Sequence, residues 1–107
     1  MEIEKTIRIA LEKCLTRIQK SLGKEVPQFT DDFKPIDQLD GFDSEIWPIA
    51  SGMLQVELGI SVPGKTNLFR DGLTKKALTI AQIVQRIADS FDKWKASPLT
   101  AVGASTA

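Results

Sequence analysis

Apolar residues recur along residues 2–22 at steps of three and four: Ile3, Ile7, Ala10, Leu11, Cys14, Leu15, Ile18 and Leu22. That spacing lays a single stripe along an α-helix, so the chain opens with a helix that packs one face against a core. Glu2 and Glu4 fall where the helix dipole favours anions, Lys20 falls in the last turn, and Gly23 offers a left-handed stop. The same period returns in Ile46, Ile49, Ala50, Met53 and Leu54 and ends at Gly59, predicting a second helix over about 45–58. Pro48 disturbs its start. With Ser44 as N-cap, Pro48 is the fourth helical residue and lacks the N–H of the first intrahelical bond, so the helix either begins near Trp47 or has an irregular first turn. A last helix is announced by Thr79 and Gln82, a capping box, with Leu78 and Ile83 placed as the hydrophobic staple. Ile80, Ile83, Val84, Ile87, Phe91 and Trp94 carry its core face to about residue 95.

Residues 23–43 hold Pro27, Pro35, Gly41 and five aspartates, which makes them a connection. Phe29, Phe33, Ile36, Leu39 and Phe42 recur through it, so the loop is anchored on the bundle, and Pro35 suits the start of a single helical turn through Leu39. Ile60 to Pro63 reads as an extended exit and Thr66 to Arg70 as a short third helix. No segment alternates as a strand does, and Ser97, Pro98 and Gly103 mark a small, polar end. The expectation is an all-α, four-helix bundle of three long helices and a short third one, with a domain over 1–95 and a flexible tail over 96–107.

Composition narrows the chemistry. Of the 107 residues, 42% are hydrophobic and 26% charged, as in an ordinary folded domain. The apolar runs are short and broken by charges, so the sequence predicts no membrane span and a cytoplasmic, monomeric protein. Cys14 is the only cysteine and sits on the core stripe, where packing is its expected role. The chain has no histidine and no tyrosine, which removes the commonest general base and metal ligand and argues against an enzyme or a metal site. A net charge of zero argues against nucleic acid as partner. The charges are unevenly spread, however. Asp31, Asp32, Asp37, Asp40, Asp43 and Glu45 crowd residues 31–45, and Lys65, Arg70, Lys75 and Lys76 crowd residues 64–76.

Gly41-Phe-Asp-Ser-Glu45 stands in mid-chain, after the anchored loop and before the second helix. Here the sequence resembles the acyl carrier protein family, whose members carry Gly-x-Asp-Ser ahead of a helix. Leu58, Ile60, Val62 and Pro63 are similar to that family's close of helix two, and Leu78-Thr-Ile-Ala-Gln-Ile-Val84 to its opening of the final helix, so the resemblance spans about residues 3–92. It implies a bundle of acyl-carrier type in which Ser44 carries a covalent 4′-phosphopantetheine arm taken from coenzyme A. Asp43 would engage the phosphopantetheinyl transferase beside Gly41, and Phe42, Glu45, Ile46 and Met53 would face partners that load and transfer acyl groups in fatty acid or polyketide biosynthesis. A serine at a helix start is exposed, and free backbone N–H groups there favour a phosphodiester. Glu45 stands where the family usually has leucine, which points to a specialised carrier. The alternative is a helical interaction module without a prosthetic group, with Asp43-Ser44 as a plain N-cap.

Gly59-Ile-Ser-Val-Pro-Gly64-Lys65-Thr66 also matches the G-x-x-x-x-G-K-[ST] phosphate-binding pattern. A P-loop needs a buried strand before it and a helix starting at its Lys-[ST]. The residues before Gly59 are helical in period, and Gly72 follows Thr66 within two turns, so this segment is expected to be a loop with Gly59 as a helix stop.

Overall fold

The computed structural model describes residues 2–64 and 66–96; Lys65 and the tail beyond Ala96 lie outside them. Four helices form: α1 (Glu2–Ser21), α2 (Pro35–Gln38), α3 (Trp47–Leu58) and α4 (Ile80–Ala96). Among the described residues there is no strand, only one isolated antiparallel bridge between Arg70 and Ala77. No helix described is long and apolar enough to cross a membrane.

α1 is the axis of the bundle and packs on both α3 and α4. Its stripe lies where the period puts it: Ile7, Leu11 and Leu15 are fully buried, with Ala10, Cys14 and Ile18 beside them. Leu22 falls past the last turn and is exposed. Gly23 adopts φ +72°, and Lys24 N–H donates to the Gln19 carbonyl across it, closing the helix. α4 contributes Ile80, Ile83, Val84, Ile87 and Trp94 to the core, while Phe91 is only partly buried, with the Lys95 ammonium 6.0 Å from its ring centroid.

The connection after α1 is packed, as its aromatic spacing requires. Phe29, Phe33, Leu39 and Phe42 are core residues, and the Phe29 and Phe33 rings meet edge to face at 5.3 Å. This loop also caps α4. Ile80 N–H donates to the Phe33 carbonyl and Ala81 N–H to the Asp31 carbonyl, while Thr79 and Gln82 exchange the two bonds of a capping box at 2.9 and 3.1 Å. Helix-terminal donors that would otherwise need water are thereby satisfied within the fold. Arg8, steadied by Glu12 one turn along α1, secures the loop to that helix through Asp31 and the Phe29 carbonyl.

The short helix is the second element, not the third. Pro35 opens it, as its fixed φ allows, but Thr66 to Arg70 is not helical. Leu68 and Phe69 are instead buried side chains of an irregular segment that closes the end of the core. Arg86 of α4 holds that segment by donating to the carbonyls of Asn67 and Arg70 at 2.9 and 3.0 Å.

Candidate functional site

Gly41 to Ile46 forms the turn between α2 and α3. Gly41 takes φ +80°, a conformation costly for any other residue, and a Cβ there would stand 3.3 Å from Leu22 Cδ1. Phe42 then drives its ring into the core, 5.1 Å from and edge-on to Phe69. This corrects one expectation: Phe42 is 3% exposed and offers nothing to a partner. Asp43, Ser44 and Glu45 follow in solvent.

The helix begins at Trp47, the later of the two starts that Pro48 allowed, with Ile46 at the N-cap position and no side-chain capping bond. Ser44 is therefore not the N-cap. Asp43 does that work from one residue earlier: its carbonyl accepts the N–H groups of Ile46 and Trp47 at 2.9 and 3.2 Å, and its carboxylate accepts Glu45 N–H at 3.1 Å. Of the N–H groups near Ser44, those of Glu45, Ile46 and Trp47 are already bonded to Asp43, so fewer face a phosphodiester than a bare helix start would offer.

Ser44 borders a groove of about 320 Å³ between α3 and the segment 62–69. Trp47, Pro48, Ser51 and Gln55 form the α3 wall, and Val62, Pro63, Thr66, Asn67, Leu68 and Phe69 the other. Gln55 fixes their separation, because its Oε1 accepts Val62 N–H at 3.0 Å while its backbone carbonyl accepts Gly59 and Ile60 N–H. Gly59 is the left-handed cap of α3 at φ +66°. Thus the Gly59 to Thr66 motif follows a helix rather than a strand, and its Lys65 lies outside the described residues.

Glu45 is exposed, and Ile46 and Met53 are partly buried. Beside them the fold exposes two residues that periodicity had misread or passed over: Ile49, assigned to the core stripe but 55% exposed, and Val56, 85% exposed. A signal was available, since Glu57 is the one charged residue in α3, and a helix that is apolar all round has a second face to cover. Leu68 and Phe69 were missed for a different reason, because residues in an irregular segment carry no period. Comparison with family models, curated proteins and solved structures finds no match to this chain.

Proposed function

We propose that the chain is a carrier domain of acyl-carrier type, modified at Ser44 with 4′-phosphopantetheine. The observation that carries this reading is an exposed serine, in a Gly-x-Asp-Ser turn just ahead of a helix, at the mouth of a groove that mixes apolar and hydrogen-bonding groups. Such a lining suits an arm built of methylenes and amides: Trp47, Pro48 and Val62 supply apolar surface, and Ser51, Thr66 and Asn67 supply polar atoms. When bound, the arm supplies a thiol on which an acyl group rides as a thioester.

The chain's own part is to present a nucleophile. A bond forms between Ser44 Oγ and the phosphorus nearer the pantetheine as the pyrophosphate of coenzyme A breaks. Adenosine 3′,5′-bisphosphate leaves, and the hydroxyl proton passes to a base of the transferase. Asp43 orders the turn from within, and its side chain is exposed for the encounter with that transferase. Glu45 and Ile46 of the turn, with Ile49, Met53 and Val56 of α3, present a mostly apolar surface to the loading and transferring enzymes.

Intact mass is the deciding measurement. Coexpression with a phosphopantetheinyl transferase adds one phosphopantetheine to the wild type and none to Ser44→Ala, whose circular dichroism stays unchanged because Ser44 caps nothing. A wild-type mass that several transferases leave unchanged overturns the reading. A second reading, an interaction module without a prosthetic group, is favoured by the exposure of Ile49 and Val56. It predicts binding to a partner that Ile49→Glu abolishes, with no added mass.

A further inference from the structure

The turn that bears Ser44 is poorly held by its own helix. Ile46 makes no capping bond through its side chain, Pro48 has no N–H to return to the Ser44 carbonyl, and the α-helical bonding of α3 proper starts with Ala50 N–H to the Ile46 carbonyl at 2.9 Å. Helix ends with so few internal bonds fray. Asp43 closes the turn locally through its carbonyl and its carboxylate, and contacts from elsewhere in the chain add to that hold.

The added contacts come from a segment more than twenty residues later. The Arg70 guanidinium carbon lies 5.2 Å from the centroid of the Trp47 ring, in cation–π range. Trp47 Nε1–H in turn donates to the Phe42 carbonyl at 3.1 Å, reaching back across Asp43 and Ser44. Phe42 is fixed from below by Phe69. Arg70 is itself anchored, because Arg86 of α4 donates to its carbonyl at 3.0 Å and Ala77 bridges to it. A continuous chain of contacts thus runs from α4 through Arg86, Arg70 and Trp47 to the backbone that flanks Ser44.

We propose that Trp47 and Arg70 brace the Ser44 turn, and that Arg70 is a positioning residue for group transfer to Ser44. This rests on the carrier reading. Arg70 acts through Trp47: a cation over the ring restrains the indole, and the restrained indole holds the Phe42 carbonyl and the turn behind it. The site for attachment is thereby preorganised by the segment that forms the far wall of the groove. Preorganisation lowers the ordering cost that a transferase must otherwise meet on binding.

The test pairs each contact with a variant that removes only that contact. Arg70→Met keeps the bulk and loses the cation; Trp47→Phe keeps a ring for the cation and loses the indole N–H; Arg70→Lys restores a cation. Arg70→Met and Trp47→Phe each lower kcat/KM for Ser44 modification by about tenfold, the size of one contact worth 1.4 kcal/mol. Their double variant is no slower than the slower single one, and Arg70→Lys recovers most of the rate. Amide exchange at Ile46 and Trp47, whose N–H groups bond the Asp43 carbonyl, quickens in both singles while exchange in α1 does not. Unchanged rates, losses that multiply in the double variant, or exchange that quickens equally throughout the chain overturns the brace. If the wild type accepts no phosphopantetheine, the carrier reading and the positioning role fall together, and the exchange data alone decide whether the brace orders the turn.

Discussion

Cys14 and Phe69 show how far a single side chain's environment can be inferred from its neighbours in sequence. Cys14 sits on the α1 stripe, and it is buried as that position requires. Burial disfavours the thiolate and pushes its pKa up, with the carboxylate of Glu57 acting in the same sense. At pH 8 the thiol therefore stays protonated, and it reacts with a disulfide reagent far more slowly in the native protein than after unfolding in denaturant. Equal rates in the two states would show that the site is open. Phe69 carries no such periodic mark, yet it is fully buried against Phe42 and completes the core beneath the Ser44 turn. Phe69→Ala removes both a large transfer contribution and the filling of its site, so it costs about 3–5 kcal/mol in chemical denaturation. A cost below about 1 kcal/mol would mean that the segment collapses into the gap. At the candidate site, Ser44 and Asp43 were legible in the sequence as a motif. Their division of labour was not, because which residue caps a helix depends on where Pro48 lets that helix begin.

Helices with a polar face and a clear start were legible almost to the residue. α4 is the example: Thr79 and Gln82 form the reciprocal bonds their spacing implied, and Thr79→Ala should cost about 1 kcal/mol, read as a lower melting temperature with helical content retained. No change in melting temperature would mean that the loop carbonyls of Phe33 and Asp31 cap this helix unaided. α3 was legible only as a helix. Its residues are apolar on nearly every side, so periodicity placed Ile49 in the core, although it faces solvent. The turn opened by Pro35 formed where the sequence put it, whereas the short third helix over Thr66–Arg70 did not form. One turn needs few residues and little pattern, and both Pro35–Gln38 and Thr66–Arg70 had enough; a proline at the first position favours the former, while the latter packs Leu68 and Phe69 into the core as an irregular segment held by Arg86.

Across the whole molecule, the core draws on the connections as well as on the helices: Phe29, Phe33, Leu39, Phe42, Ile60, Leu68 and Phe69 lie outside the three long helices and share one cluster with them. Unfolding should therefore be a single cooperative transition, with the loss of helix by circular dichroism and the change in Trp47 and Trp94 emission coinciding in denaturant. Separate midpoints would show that the Ser44 end opens before the α1–α4 core. The sequence by itself determined the all-α class, the bounds of α1 and α4, the anchoring of the long loop and the Gly59 stop, because each rests on a local period, a cap or a glycine φ that neighbouring residues specify. Only the tertiary structure decided which face of α3 meets water, that Leu68 and Phe69 close the core, and that Trp47 and Arg70 meet above the Ser44 turn. Those outcomes depend on groups distant in sequence, and their energies appear only when the chain has folded and brought them within contact.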